Sequence, residues 1–200
     1  MGQFTRTKEL LVTPPAVEPV SLNQVKPHCY IALEDTSHDE TLSDLIVMAR
    51  QHLEKICWSS FITQTWDYWW DRYWWKMFIP RPPLLTVTTF QYVPPGGGGL
   101  RDVGSTIWEL SAENQCPFAR LKYLQTWPIT RGFRDDVYMR VTSGYGPLPS
   151  DVPMPIRHAI KLLAAFMFLH RGDELESNPS GSGIAMGLDS LIASYRFKEF

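Results

Sequence analysis

The feature that most constrains this chain is a change in the spacing of its apolar residues at Phe61. Before it, residues 40–57 repeat apolar side chains every three or four positions, as an amphipathic helix does. After it, Phe61–Trp70 alternates along the chain like a β-strand, with large side chains on both faces. Helical spacing returns in Met154–Arg171. Helices at both ends and strands between them predict an α+β fold rather than a parallel α/β fold.

The middle of the chain predicts an antiparallel sheet. The Gly-rich tip Pro94–Gly99 predicts a turn from which the next strand runs back antiparallel. A short helix is expected from Ser21 to about Cys29, with Gln24 completing a capping box. The strands predicted after Phe61–Trp70 are Leu85–Val93, Thr106–Leu110, Phe118–Leu124 and Val137–Ser143.

The two ends of the chain lack a regular period. Three prolines in residues 1–20 favour an extended N-terminal arm, followed by one domain over residues 21–171. Residues 172–200 are predicted to be a flexible C-terminal tail, because Glu174–Gly183 has the composition of a linker. The short amphipathic segment and the aromatic end that follow are expected to dock on a partner rather than on this chain.

The helix Met154–Arg171 becomes apolar on all sides towards its end, unlike a surface helix of a small monomer. Either another part of the chain or a second subunit should therefore cover Phe168. In the earlier helix, Arg50 and Glu54 are among the charged residues predicted to lie away from the apolar face. The apolar part of the last helix is too short to span a bilayer and contains Lys161, so no membrane association is expected.

Charge and cysteine content narrow the class of protein. The chain has 19 basic and 21 acidic residues and a formal net charge of −2, which argues against tight binding of nucleic acid through its phosphates. Cys29, Cys57 and Cys116 are odd in number and widely spaced, which predicts free thiols in a reducing compartment. No signal peptide is recognisable at the N-terminus. Synthesis in a cytoplasm is expected.

The sequence gives no motif of an enzyme. It lacks the spacing of a metal site, a nucleophile elbow or a phosphate-binding loop. The acidic residues Asp35, Asp39, Glu40 and Asp44 lie near a helix start, where they favour the positive helix pole and face water. We therefore predict no catalytic, metal-binding or cofactor-binding residue. A hydrolase would require a polar cluster that only the folded chain brings together.

Five of the eight tryptophans fall between Trp66 and Trp75. In one interpretation Trp66, Tyr68 and Trp70 fill a sheet core. The tryptophans at positions 69, 74 and 75 would then contact another subunit, since Trp is favoured at interfaces. In the other interpretation, a row of Trp rings on one strand face stacks on sugars, as in a carbohydrate-binding module of a tail component.

Six stretches, in this order and with similar spacing, resemble the head–tail connector (adaptor) proteins of long-tailed phages and prophages. No single stretch is specific, and Trp is richer after Trp66 than in the family pattern. The stretches are Val12–Lys26, Asp39–Ile56, Phe61–Trp66, Ile79–Leu84, Val141–Gly146 and Val152–Leu163.

The resemblance implies a non-enzymatic virion protein without cofactors. Such proteins form a ring, usually dodecameric, between the portal at the capsid vertex and a stopper, tail-terminator or tail protein. The ring extends the channel through which double-stranded DNA passes without sequence-specific binding. The implied fold is a small helical core, made of two N-terminal helices and a long C-terminal helix, with a β-rich insertion at about 61–146.

Two sets of contact residues follow from the resemblance together with the residue pattern. Assembly is expected at the head–tail junction, after synthesis in the cytoplasm of a bacterial host. The candidate subunit contacts are Phe168, Trp69, Trp74 and Trp75. The candidate portal-docking residues are Leu188, Leu191, Ile192, Tyr195, Arg196, Phe197 and Phe200.

Overall fold

The structure, a computed structural model, describes residues 6–111, 116–170 and 182–196. The chain forms two compact units. The β unit combines the described residues before Ala16 with Thr63–Tyr145, and the helical unit combines Ala16–Ile62 with Gly146–Arg196. The mixed helical and antiparallel composition confirms the predicted α+β class.

The β unit contains a five-stranded antiparallel sheet and a three-stranded antiparallel sheet. The larger sheet has the order β1-β2-β8-β4-β5, and the smaller has the order β3-β7-β6. The strands are β1 (Arg6–Thr13), β2 (Gln64–Trp70), β3 (Lys76–Phe78), β4 (Leu84–Tyr92), β5 (Arg101–Asp102), β6 (Trp108–Ser111), β7 (Phe118–Leu121) and β8 (Val137–Ser143).

Most predicted strands are present close to their predicted bounds. Strand β8 has the predicted bounds, and β2 and β4 differ from prediction by a few residues. Beyond the glycine tip the chain runs back antiparallel to β4 as predicted, but it does so in the two-residue strand β5. The strand predicted there, Thr106–Leu110, corresponds to β6, which pairs with β7 in the smaller sheet. Strand β1 lies in the stretch predicted to be extended, and there it pairs with β2 along the edge of the sheet. Pairing with a distant strand is not visible in local sequence, so β1 and the short strands β3 and β5 were not predicted.

The helical unit is built from four helices and short 3-10 turns among the described residues. The first helix begins as predicted, because the Ser21 backbone N–H donates to Gln24 Oε1 at 3.2 Å. A 3-10 turn, Lys26–Cys29, follows at Pro27. The helices are α1 (Leu22–Val25), α2 (Asp39–Cys57), α3 (Met154–Leu169) and α4 (Ser182–Ile192).

The prediction for the charged residues of α2 is wrong at Arg50 and Glu54, which are both buried. The Arg50 guanidinium binds Glu54 at 2.7 Å and Glu18 at 2.8 Å. The other carboxylate oxygen of Glu54 accepts the backbone N–H of Phe61 at 2.8 Å. A helical pattern identifies polar positions, but it does not reveal partners from distant segments that satisfy buried charges.

Candidate functional site

The aromatic residues of β2 divide between the two faces of the sheet. Trp66, Tyr68 and Trp70 point into the core of the β unit and are almost fully buried. The rings of Trp66 and Tyr68 stack with 6.4 Å between their centroids. The core prediction for these three residues is confirmed, and this face offers no open platform on which a sugar could stack.

Trp69 lies on the opposite face of β2 and is half-buried. Its ring centroid is 5.3 Å from that of Tyr138 on β8, and Lys8 Nζ of β1 lies 4.6 Å above it. Strands on both sides therefore cover part of the ring. The contact of Trp69 with another subunit stays a prediction.

A charged pair joins β2 and β8 beside Trp69. Arg140 Nε and Nη2 donate to the two carboxylate oxygens of Asp67 at 2.7 and 2.8 Å. Burial alone raises the pKa of Asp67, but hydrogen bonds from Arg140 and Tyr138 and the charge of Arg140 outweigh it, so the pKa is lowered. The pair fixes the register of the central strands and has the character of a structural ion pair rather than an acid–base catalyst.

Trp74 and Trp75 follow β2 and differ in exposure. Trp74 packs against the core of the β unit, and the Arg72 guanidinium lies 4.4 Å from its ring centroid. Trp75 is 70% exposed, with Lys76 Nζ 4.6 Å from its ring. Of the predicted subunit contacts, Trp75 therefore has the most free surface. Its contact with a second copy stays a prediction.

Phe168 is covered by its own chain, the first of the two possibilities raised by the sequence. It is 9% exposed, and its ring meets that of His38 edge-on at 5.3 Å between centroids. The neighbouring Leu169 is the exposed apolar residue at this end of α3. Phe168 therefore has little accessible surface that a second subunit could contact. Its role in subunit contact stays a prediction.

The predicted docking segment is partly committed to its own unit. Leu188 and Ile192 are buried, and α4 packs against α3. Ser59 Oγ also donates to the backbone oxygen of Tyr195 at 3.2 Å. The expectation that this segment cannot bury itself is therefore wrong for Leu188 and Ile192, because an amphipathic helix can dock on an apolar helix of the same chain.

The remaining docking candidates differ in what the structure says of them. Leu191, Tyr195 and Arg196 are half-buried and keep accessible surface. Arg196 pairs with Asp189 at the exposed surface of the segment. Phe197 and Phe200 lie outside the described residues. Docking of this segment on a portal stays a prediction.

A long loop, residues 122–136, connects β7 to β8 and is anchored along its length. This loop was not identified as a functional region from the sequence. The Trp127 indole N–H donates to the Trp74 backbone oxygen at 2.9 Å, and its ring stacks on Tyr73 with 4.7 Å between centroids. Further along, the Arg131 backbone N–H donates to the Val93 oxygen at 3.0 Å. These contacts attach both halves of the loop to the core of the β unit.

A fully buried carboxylate, Asp136, holds the tip of this loop. Its Oδ2 accepts the backbone N–H groups of Gly132 and Phe133 at 2.6 and 2.8 Å. Its Oδ1 lies 2.9 Å from a guanidinium nitrogen of Arg131. Gly132 has a φ of +89°, a conformation that favours glycine. The tip is thus fixed by charge-assisted hydrogen bonds.

The anchored loop nevertheless exposes four large apolar side chains. Tyr123, Leu124, Ile129 and Phe133 are 89, 83, 77 and 67% exposed. Beside its tip is an open cleft of about 550 Å³. The cleft is lined by Asp71, Arg72, Trp74, Thr130, Gly132, Phe133 and Arg134. Exposed apolar side chains on a fixed backbone are typical of a protein interaction surface.

Two side chains that could act as an acid, a base or a nucleophile are bound by another side chain or buried. Asp39, one of the four acidic residues near the start of α2, binds Lys26 Nζ at 2.7 Å. Burial raises the pKa of the Cys57 thiol to about 11, which disfavours the thiolate that a nucleophile needs. Within the described residues, no three His, Cys, Asp or Glu side chains come together as a metal site would require.

No helix in residues 6–111, 116–170 or 182–196 has both the length and the apolar character needed to cross a membrane. The helix α3, which is the most apolar of the long helices, has 16 residues.

Comparisons with known proteins identify the fold. No protein-family model matches the sequence, and no curated protein sequence matches it either. A chain in the neck of an empty GTA particle, computed with C6 symmetry, is 20% identical, with 97% of each chain covered and a TM-score of 0.79. A chain in the virion of a native gene transfer agent (GTA) particle is 21% identical, with 96% of each chain covered and a TM-score of 0.77.

A third chain, in the neck of a native GTA particle computed with C12 symmetry, is 22% identical and has a TM-score of 0.71. The match covers 96% of this chain and 97% of that chain. At these identities the likeness establishes a shared fold. It extends through both the β unit and the helical unit, because almost the whole of each chain is covered.

Proposed function

We propose that this protein is a ring-forming adaptor at the head–tail junction of a phage or phage-like particle. One observation carries the proposal: nearly the full length of the chain shares the fold of chains in the neck of GTA particles. The six stretches that resemble head–tail connectors favour the same function, and that resemblance lies in the sequence alone. Two independent signals therefore favour the same position in a virion.

The proposed assembly is a dodecameric ring. One of the similar neck structures was computed with C12 symmetry and another with C6 symmetry, and twelve copies are compatible with both. A ring needs two different complementary surfaces on each copy, since identical surfaces that pair with each other close into dimers. Exposed apolar residues of the β unit, including Trp75 and Phe133, offer surface for such contacts.

The proposed partners are the portal on one side and a stopper, tail-terminator or tail protein on the other. Leu191, Tyr195 and Arg196 keep surface for portal docking, whereas Leu188 and Ile192 stabilise their own unit. The nearly equal numbers of basic and acidic residues suit a channel through which double-stranded DNA passes without being held. The protein would be synthesised in the cytoplasm of the bacterial host and act in the virion, without catalysis or cofactors.

The carbohydrate-binding alternative is less favoured by the position of the tryptophans. A sugar platform needs several neighbouring rings with open faces, but Trp66 and Trp70 are buried in the core. Trp69 and Trp74 are each partly covered by neighbouring side chains of the β unit. Trp75 alone does not make a row of rings.

Electron microscopy of particles from a strain that lacks this protein tests the proposal. DNA-filled heads without tails, or heads that lose DNA, are expected, and supplying the full chain in trans should restore tailed particles. A glycan array with the purified protein provides the contrast, with no sugar binding expected. Normal tailed particles in the deletion strain would refute the adaptor function.

A further inference from the structure

The 122–136 loop has an ordered backbone and exposed apolar side chains, and both properties are unfavourable in free energy for a soluble protein. Its backbone is fixed by Trp127, Arg131 and Asp136, yet Tyr123, Leu124, Ile129 and Phe133 remain largely exposed. Ordering a loop costs conformational entropy for every residue whose backbone is fixed. A loop already ordered loses little more on binding, so this surface is preorganised for a partner.

The exposed charged side chains at the tip of the loop and in the adjoining cleft are arginines, whereas Asp71 and Asp135 are half-buried and Asp136 is buried. Arg72 and Arg134 line the cleft and are exposed. The charge of Arg131 is balanced by Asp136. Asp71 also lines the cleft, and its Oδ1 accepts the Asp135 backbone N–H at 3.1 Å. Two arginines beside exposed aromatic and aliphatic side chains predict a partner surface that is acidic and partly apolar.

The helical unit has an exposed acidic surface on helix α2. Glu40, Asp44 and Met48 on α2 are spaced four residues apart, so they share one face of the helix, and all three are exposed. Neither Glu40 nor Asp44 has a hydrogen-bond or ion-pair partner among the described residues. Met48 places an apolar side chain beside the two carboxylates. This face is therefore acidic and partly apolar, which are the two properties expected of the partner of the loop.

We propose that the 122–136 loop of one copy binds the Glu40–Met48 face of α2 on the next copy, with Arg72 and Arg134 facing Glu40 and Asp44. This rests on the ring proposed above and identifies its contact between subunits. A second copy is favoured because both surfaces lie on this chain and are complementary in charge. They are also different surfaces, so the contact is head-to-tail and can close into a ring.

Nucleic acid is a less suitable occupant of the loop. A surface that binds phosphates needs a cluster of lysines and arginines with little apolar surface between them. Here four large apolar side chains, Tyr123, Leu124, Ile129 and Phe133, dominate the exposed part of the loop. Their burial against protein contributes free energy that contact with phosphates would not.

Reciprocal charge reversal tests the contact. Heads from the deletion strain would be incubated with purified full-length protein, and the bound copies per head counted by quantitative mass spectrometry. We expect Arg134→Glu to reduce binding at least about tenfold, because like charges then face each other at every contact of the ring. The single change Asp44→Arg should reduce it similarly, and the double variant Arg134→Glu with Asp44→Arg should recover most of it.

The control variant is Arg101→Glu, which makes the same charge reversal at an exposed position of β5. It should bind like the unaltered protein, and circular dichroism should confirm that all variants fold. Unchanged binding of Arg134→Glu would overturn the role of the loop. A double variant Arg134→Glu with Asp44→Arg that binds no better than either single variant would overturn the pairing with α2.

The two proposals fail in different ways. If the unaltered protein does not bind the deletion-strain heads, the adaptor function itself fails. If it binds and restores tails while the charge variants behave like the control, only the proposed subunit contact fails. Loss of DNA retention by Arg134→Glu with normal ring formation would also overturn the contact, since the arginine would then face DNA.

Discussion

The carboxylate of Asp136 provides the most quantitative test of the structure. Its two oxygens accept the backbone N–H groups of Gly132 and Phe133 and the guanidinium of Arg131, and its side chain is fully buried. The variant Asp136→Ala removes all of these acceptors at once. Two backbone donors and one guanidinium then lose their charged partner, while Arg131, which is 40% exposed, can return to water.

The expected loss follows from these contacts. A hydrogen bond to a charged group contributes about 1.5–3 kcal/mol, and contributions within one network do not add fully. Breaking a buried pair by removing one partner typically costs about 3–5 kcal/mol, and rehydration of Arg131 lowers this figure. We therefore expect Asp136→Ala to lower the free energy of unfolding of the β unit by about 3 kcal/mol, and Asp136→Asn by about half as much because one acceptor oxygen remains.

Urea denaturation monitored by tryptophan fluorescence measures this loss, since Trp127 stacks on Tyr73 within the anchored loop. Limited trypsin digestion provides a second readout, because a released tip makes the backbone at the exposed residues Arg131 and Arg134 flexible enough to be cleaved. Glu34→Ala, an exposed acidic position in the helical unit, is the control and should change stability by less than about 0.5 kcal/mol. A loss below about 1 kcal/mol for Asp136→Ala, without faster cleavage, would refute the role of Asp136 as the anchor.

Three further outcomes are expected. Ile192→Ala should lower the unfolding free energy by about 2–4 kcal/mol in urea denaturation, because Ile192 is fully buried; a change near zero would show that α4 does not belong to the core. Folding lowers the pKa of Asp67, so its pair with Arg140 stabilises the protein above the unfolded pKa of about 4, and this stabilisation is lost as pH falls through the folded pKa. In an acid titration, Asp67→Asn should therefore lose less of its unfolding free energy than the unaltered protein loses. With a pKa of about 11, Cys57 should react with iodoacetamide at pH 8 roughly a hundredfold more slowly than an ordinary thiol of pKa 9.0, measured by mass spectrometry, and rapid labelling would contradict its burial.

Much of the fold could be predicted because periodic patterns report local structure. Helix α2 and strand β8 follow their hydrophobic periods closely, and α3 begins at the predicted Met154. The division of Trp66 and Trp69 between two faces also follows directly from the two-residue period of a strand. Such features depend on neighbouring residues alone.

Features that depend on distant contacts could not be predicted from the pattern. Glu18 stabilises the buried Arg50 from outside its helix, and the partner of Trp127 lies far away in sequence at Trp74. The 122–136 loop has no period beyond its first residues, which were predicted to continue the strand Phe118–Leu124, so the spacing does not reveal which side chains are exposed. The cluster of aromatic residues and arginines in its sequence was the available hint, since this combination is enriched at interfaces.

The free surface of the C-terminal segment illustrates a second limit. The sequence predicts Leu188 and Ile192 as docking residues, because a short amphipathic segment after a linker needs an apolar partner. The pattern shows that a partner surface is needed, but not whether it lies on the same chain. In the structure α3 supplies it. Portal docking, if it uses this segment, depends on the residues that remain accessible, including Tyr195.

The most direct test of the central claim is cryo-electron microscopy of the neck of particles that contain this protein. We expect a ring of twelve copies between the portal and the tail, with the fold described above and the 122–136 loop of each copy against α2 of the next. Particles whose neck contains no density for this chain, or purified particles from which the protein is absent, would contradict the proposed function.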